Sequence, residues 1–311
     1  MSGRAEGQPA VLLCAFGGPE SLGEVDAFVA SVLGRTPPEA LLAEVRHRYA
    51  RLGGGSPLPA TTRAQAQALE RRLADEGCPC PVRVGMLHSA PTLADALSEL
   101  AAEGIGDLVV LSLAPYRSQA STTAYERAVT LAAQGAGFEG RLRFPADWFA
   151  HPTFVACLGE LLDETLAAVP EALRPGLPVV FSAHSIPERF VQAGDPYPGQ
   201  LAATAAKLAA DRPHIAPYQA YQSVSGAARE PWLGPAVERV LADLAAGGAR
   251  AVLVDPIGFV SDHLETLYDN DIVHREEARR LGLDFYRCPC PNLHPLFIRA
   301  LAEIVLETMG R

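Results

Sequence analysis

The sequence predicts an α/β protein made of two similar units, each with a parallel β-sheet. Short apolar runs bounded by Gly, Pro or polar turns alternate with stretches of helical spacing, a pattern typical of parallel strands joined by crossover helices. The 311 residues correspond to about two domains, and the 49% of hydrophobic residues can fill two cores. A weak internal duplication with a period of about 150 residues is the third observation.

Seven apolar runs are predicted to be strands, and their nearly continuous hydrophobicity suits strands covered on both faces. They are Val11 to Ala15, Val82 to Met86, Leu108 to Leu113, Val179 to Ser182, Tyr218 to Gln222, Ala251 to Val254 and Leu283 to Tyr286. The segment VLLCAFGGPE at 11–20 resembles VVFSAHSIPE at 179–188, and LVVLSLAPY at 108–116 resembles AVLVDPIGF at 251–259. We therefore expect domains over residues 1–147 and 148–311, with the last helix, about 293–310, packing back on the first domain.

Charge and composition narrow the class of substrate. A net charge of −10 and a pI near 5.3 argue against a broad nucleic-acid surface and favour a small molecule or a metal. The start MSGRAEGQPA lacks the pattern of a secretory signal, and no apolar run reaches the roughly 18 to 20 residues of a membrane span. We expect a cytoplasmic protein, with peripheral membrane contact left open.

Ligands of parallel sheets bind beyond the carboxyl ends of the strands, so the turns that follow the strands carry the candidate chemistry. The turn at 16–20 and the glycine-rich loop at 51–58 match neither a phosphate loop nor a dinucleotide fingerprint. The three glycines of the loop permit a close approach of the backbone to a flat ligand. A tight connection without any ligand is the alternative.

His184 follows the fourth predicted strand, among small residues that leave its imidazole accessible. Such a histidine can act as a base or a metal ligand near neutral pH, or can be purely structural. The adjacent Ser185 suggests a hydrolase, but the nucleophile elbow G-x-S-x-G is missing. His184 is therefore a candidate without a serine nucleophile.

An acidic segment follows the sixth predicted strand. Asp262, Glu265 and Asp269 stand at i, i+3 and i+7, which predicts one stripe on an α-helix with Ser261 as its N-cap. Carboxylate oxygens suit a divalent cation, while a solvated acidic face is the alternative. Since both turns occupy equivalent positions, Glu265 and His184 should approach one another.

Several segments resemble the signature segments of the ferrochelatase family. They are FSAHSIPERFVQAGDPYPGQL at 181–201, YQSVSGAAREPWLGPAV at 221–237, PIGFVSDHLETLYDNDI at 256–272 and RLGGGSPL at 51–58. The resemblance runs from Val11 to the final helix. It implies the chelatase fold, with two Rossmann-like domains and an active cleft between them. It also implies the insertion of Fe²⁺ into a porphyrin in haem biosynthesis, with no cofactor required and Fe²⁺ as a substrate.

The resemblance assigns roles residue by residue. His184 and Glu265 match the family's inner pair for metal and proton handling, and Asp269 and Asp271 match an outer acidic row. Porphyrin contacts are implied for Arg48, Tyr49, Ser56, Tyr125, Phe16 and His88. Phe16 stands where several bacterial relatives carry a tyrosine that can bind the iron of the product. This sequence therefore lacks that axial oxygen.

Metalation must remove two pyrrole protons, so a base is needed beside the ring nitrogens. We assign that role to His184. Glu265 would pass the proton on or hold the ferrous ion. The short chain leans towards coproporphyrin III, with protoporphyrin IX the runner-up. A cobalt or nickel tetrapyrrole chelatase and a non-catalytic haem or porphyrin carrier are the alternatives. Transfer partners in haem synthesis are left open, and nucleic acid is not an expected partner.

The six cysteines are interpreted as reduced thiols, because the chain lacks an export signal. Some family members carry a [2Fe–2S] cluster, and Cys157 matches the position of their internal ligand. Four thiolates would have to come from Cys157, Cys288, Cys290 and either Cys78 or Cys80. C-x-C pairs are only a weak signal for such a cluster.

Overall fold

The computed structural model describes residues 9–224 and 230–311. Two segments lie outside the described residues. They are residues 1–8 of the start MSGRAEGQPA and residues 225–229 of the YQSVSGAAREPWLGPAV segment. The α/β prediction is confirmed, since the strands of the described residues form two four-stranded parallel sheets with helices between the strands. Contacts divide the chain into two compact units. Unit 1 holds residues up to Pro115, Ser121–Trp148 and Leu293–Arg311, and unit 2 holds Tyr116–Ala120 and Phe149–Asn292.

Unit 1 contains the first sheet, with the strand order β2-β1-β3-β4. Its strands are β1 (Pro9–Ala15), β2 (Val82–Met86), β3 (Asp107–Ser112) and β4 (Arg141–Arg143). Its helices are α1 (Val25–Leu33), α2 (Glu39–Arg51), α3 (Leu58–Asp75), α4 (Leu93–Ala102), α5 (Thr122–Gly135) and the final helix α11 (Pro295–Met309), with a 3-10 turn at Leu22–Glu24. The final helix packs on α3 and also contacts β3.

The core of unit 1 follows from the apolar runs of the sequence. β1 is buried over nearly its whole length and pairs in parallel with β2 and β3. Leu12 and Leu108 of these strands pack with Leu97 of α4 and Val129 of α5. Thr92 is the N-cap of α4 and forms a capping box with Asp95, which satisfies two backbone donors that would otherwise lack a partner.

Unit 2 repeats the arrangement with the strand order β6-β5-β7-β8. Its strands are β5 (Leu177–His184), β6 (Ile215–Gln222), β7 (Ala251–Asp255) and β8 (Asp284–Arg287). Its helices are α6 (Pro152–Ala168), α7 (Glu188–Gln192), α8 (Tyr197–Ala210), α9 (Val237–Ala246) and α10 (Arg275–Arg280), with a 3-10 turn at Glu171–Leu173. β5 and β7 occupy the places that β1 and β3 hold in unit 1, as the duplicated segments predict.

The acidic segment forms a π-helix, Glu265–His274, instead of the predicted α-helix. Leu264 is its N-cap, so the prediction that Ser261 caps the helix is wrong. Asp262 precedes the helix, and the predicted stripe at i, i+3 and i+7 therefore does not form. Among the helices of the described residues, none has the length and apolarity that crossing a membrane would require.

Candidate active site

His184 is the last residue of β5, at the carboxyl end of the unit 2 sheet. Its ring nitrogen Nδ1 contacts the carbonyl oxygen of Ser185, and the hydroxyl of Tyr197 donates to the His184 carbonyl at 3.1 Å. Gly258 lets the turn after β7 lie against this strand end, because a Cβ there would stand 2.5 Å from the Cβ of Ala183. The backbone around His184 is thus fixed from two sides, and its Nε2 is left to face a partner.

That partner is Glu265, the first residue of the π-helix. Its Oε1 lies 3.2 Å from His184 Nε2, and its Oε2 lies 3.5 Å from Nε2 of His263. The buried amide of Gln222 donates to the Glu265 carbonyl at 2.8 Å and accepts from the Ser182 hydroxyl at 2.9 Å. Two strand ends therefore hold Glu265, one through its side chain and one through its backbone.

His184 and Glu265 shift each other's pKa in opposite directions. Burial disfavours the imidazolium, but the Glu265 carboxylate and the Ser185 carbonyl outweigh it and raise the pKa of His184 to about 9. Burial would likewise raise the pKa of Glu265, but His184 and His263 hold it well below its usual range. Both side chains remain about one third exposed, at 34% and 33%. At neutral pH these shifts favour an imidazolium–carboxylate pair.

The outer acids have different surroundings. Asp269 accepts a hydrogen bond from the Ser223 hydroxyl, at the end of β6. Asp271 is bound through both carboxylate oxygens by Arg287 and also pairs with Arg275 at 3.4 Å. Asp269 and Asp271 therefore do not form a matched row, because one faces a hydroxyl and the other two guanidinium groups.

In unit 1, Phe16 and His88 lie together beside Phe28. The rings of Phe16 and His88 are 4.6 Å apart, and Phe28 packs edge-on against both. His88 Nδ1 contacts the Ser31 hydroxyl at 3.0 Å, and burial lowers the pKa of His88. With 42% of its surface exposed, Phe16 offers an aromatic face to a ligand.

The other predicted porphyrin contacts of unit 1 are dispersed. Arg48 on α2 is partly exposed and pairs with Glu44, one turn earlier. Ser56 is buried in the glycine-rich loop, where its amide donates to the Pro19 carbonyl at 2.7 Å. Tyr49 and Tyr125 are 3% and 6% exposed, and Tyr125 lies in the core cluster of the unit. Contact of these four residues with a porphyrin stays a prediction.

All six cysteines are free and buried, with Cys14, Cys78 and Cys80 in unit 1 and Cys157, Cys288 and Cys290 in unit 2. Burial raises the pKa of the thiols of Cys288 and Cys290 well above the usual value, and Cys288 donates to the Leu161 carbonyl at 3.3 Å. Over residues 9–224 and 230–311, no three His, Cys, Asp or Glu side chains converge as a resident metal site.

Sequence reasoning missed Tyr197, Gln222 and Arg287, although all three contact the site or its helix. Gln222 could have been found, because it is the last residue of a predicted strand, and His184 follows the neighbouring one. Tyr197 lies on a helix, and no pattern in the sequence indicates that its hydroxyl donates to the His184 carbonyl. Arg287 pairs with residues 16 and 25 positions away, a separation that no local pattern reveals.

The family model and the curated relatives identify one family. The chain matches the family model described as Ferrochelatase over residues 8–309. It is 37% identical to the ferrochelatase of Deinococcus radiodurans, over 95% of this chain and 94% of that protein. It is 38% identical to the coproporphyrin III ferrochelatase of Anoxybacillus flavithermus (97% and 96% covered) and 34% to that of Bacillus subtilis (97% and 98% covered).

Solved structures support the fold alone. SirB from Bacillus subtilis, determined with Fe3+, superposes with a TM-score of 0.60 at 13% identity, covering 97% of this chain and 95% of that chain. CbiX, described as the terminal enzyme for the biosynthesis of sirohaem in denitrifying bacteria, gives 0.56 at 15% identity, with 96% and 98% covered. Both are similar to this chain in their two-domain chelatase fold.

Proposed function

This chain belongs to the ferrochelatase family, and we propose that it inserts Fe²⁺ into coproporphyrin III with His184 and Glu265 as its catalytic pair. The observation that carries the proposal is the 3.2 Å contact between these two side chains at the carboxyl end of the unit 2 sheet. Ligands of parallel sheets bind at that end. Family membership supplies the reaction, in which a ferrous ion replaces two protons on the pyrrole nitrogens.

The charge state of the pair decides which group accepts the first proton. At neutral pH His184 carries a proton and Glu265 is ionised, so the carboxylate is the group ready to accept. A divalent cation at the ring would disfavour the imidazolium, so His184, which is one third exposed, would give its proton to solvent and leave Nε2 free to contact the metal. His263 lies 3.5 Å from the other carboxylate oxygen and helps to hold Glu265 in place. Glu265 is one third exposed and passes each pyrrole proton to solvent before it accepts the next, so the two ring protons and the proton of His184 all leave the site.

Asp269 lies on the same helix as Glu265, and its carboxylate would raise the local concentration of divalent cations near the pair. Asp271 fits that role less well, because Arg287 binds both of its oxygens. We therefore assign the approach of the metal to Asp269 and treat Asp271 as a structural acid.

The choice of porphyrin rests on the relatives and on the donors of unit 1. Several relatives are named coproporphyrin III ferrochelatases, and that porphyrin carries four propionates where protoporphyrin IX carries two. Arg48 and Ser56 are donors that resemblance places at porphyrin-contacting positions. A charge-assisted hydrogen bond contributes about 1.5 to 3 kcal/mol, so one additional satisfied propionate favours coproporphyrin III by about tenfold or more.

The test is anaerobic incubation of the purified protein with Fe²⁺ and each porphyrin, without ATP or NAD(P)H, following the loss of the free-base absorption. We expect turnover with both porphyrins and a higher kcat/KM for coproporphyrin III. A higher kcat/KM for protoporphyrin IX would overturn the choice of porphyrin but not the reaction. Porphyrin binding without turnover would support a carrier, and turnover confined to cobalt or nickel would support the other chelatase class.

A further inference from the structure

We propose that Arg287 is a positioning residue, whose guanidinium fixes the π-helix to the sheet that carries His184 and so sets the alignment of Glu265. This inference rests on the proposed roles of His184 and Glu265. Arg287 is the last residue of β8, and only 12% of its side chain is exposed. Its place at a strand end gives it a rigid base.

The guanidinium holds two carboxylates at once. Arg287 Nη1 lies 3.0 Å from Asp262 Oδ1, while Nε and Nη2 lie 2.9 Å and 3.0 Å from the two oxygens of Asp271. The contact with Asp271 is the bidentate geometry that the planar fork of arginine favours. Asp262 lies three residues before Glu265 and Asp271 lies six residues after it. Arg287 therefore binds one residue that precedes the π-helix and one residue within it.

Asp262, one of the two carboxylates that Arg287 binds, is connected to Glu265 through Thr266 and His263. Asp262 also accepts from the Asn292 amide at 2.7 Å and from the Thr266 hydroxyl at 3.1 Å. The same Thr266 hydroxyl accepts from the backbone amide of His263 at 2.9 Å. His263 in turn faces Glu265 at 3.5 Å. A shift of Asp262 would therefore move the second histidine of the site.

The backbone of Arg287 belongs to the sheet. In the strand register, Arg287 pairs with Val254 of β7, and Val254 pairs with Val180 of β5. β5 ends at His184, so Arg287 and His184 are fixed to the same hydrogen-bonded framework. By tying the π-helix to β8, Arg287 sets where Glu265 lies relative to His184. Their 3.2 Å contact depends on this connection.

Arg275 provides a matched control. It also pairs with Asp271, but it is 50% exposed, belongs to the helix that continues the π-helix, and reaches Asp271 at 3.4 Å. Its link to the sheet is weak and exposed, since Nη1 reaches the carbonyl of Phe285 in β8 only at 3.5 Å and the guanidinium lies 5.2 Å from the centre of that ring. Exposed ion pairs contribute little, so its removal should leave activity near that of the parent protein.

The experiment compares the parent chain with Arg287→Met, Arg287→Lys and Arg275→Met by metalation kinetics and by hydrogen exchange with mass spectrometry. We expect Arg287→Met to lower kcat by about 10- to 100-fold, with KM for the porphyrin changed less than about twofold. Arg287→Lys keeps the charge but loses the fork, and its kcat should be intermediate. Faster exchange should be confined to residues 261–274, while β5 and α9 keep parental rates.

Three results would overturn the assignment: kcat of Arg287→Met within twofold of the parent, an equal loss in Arg275→Met, or faster exchange spread over all of unit 2. If Arg287→Met does not fold, the exchange pattern and kcat of Arg287→Lys decide by the same criteria. Exchange needs no turnover, so the positional role is judged even if the parent chain fails to metalate a porphyrin. That failure would overturn only the proposed function.

Discussion

Glu265→Gln should lower the pKa of His184 from about 9 towards the 6.5 of an ordinary histidine. Burial disfavours the imidazolium, and the largest opposing influence is the carboxylate 3.2 Å away, which the substitution makes neutral at nearly constant shape. At pH 8 a pKa of 9 leaves about nine in ten imidazoles charged, whereas a pKa of 6.5 leaves about three in a hundred. The variant should therefore carry a neutral His184 at the pH of most assays.

Histidine ring signals measured by NMR across pH 5 to 10 follow this change, with His184→Ala identifying the resonance. The raised pKa also links stability to pH: the contribution of His184 is complete below about pH 6.5 and is lost as the pH rises through 9. The difference in Tm between parent and Glu265→Gln should therefore narrow over that interval. A His184 that still titrates near 9 in the variant would refute the assignment of Glu265 as its partner.

Three further substitutions test the surroundings of the pair. Tyr197→Phe removes the hydroxyl that donates to the His184 carbonyl and should lower the free energy of unfolding by about 0.5 to 1.5 kcal/mol in urea titrations; no change would show that the bond contributes nothing. Gly258→Ala places a methyl group 2.5 Å from the Cβ of Ala183 and should lower both Tm and kcat, whereas parental values would mean that the turn relaxes freely. Phe16→Tyr should add an axial oxygen and change the absorption spectrum of bound haem product; an unaltered spectrum would place that ring away from the iron.

The fold could be predicted because its signals are local. Buried parallel strands are almost continuously apolar, and the duplicated segments align β1 with β5 and β3 with β7. β4 was missed because Arg141–Arg143 is a short, charged segment at the edge of its sheet. Edge strands of that kind lack the apolar signal on which the prediction depended.

The site could be predicted only in part. His184 and Glu265 were accessible to sequence reasoning because both follow a recognisable strand. The π-helix was not, since the spacing of acids suggests an α-helix and nothing local indicates that Asp262 pairs with Arg287. Burial of Tyr125 is likewise a property of the packed core. The cytoplasmic location stays a prediction.

The central claim is that His184 acts in the exchange of pyrrole protons for iron, and single-turnover metalation by His184→Ala tests it most directly. The rate of Fe²⁺ insertion into coproporphyrin III should fall by about 10² to 10⁴-fold, the usual contribution of a positioned proton-transfer group. Porphyrin binding, measured by fluorescence, should persist, and His214→Ala, at an exposed histidine of the same unit, should behave like the parent. A His184→Ala protein that keeps more than about half of the parental rate would contradict the account.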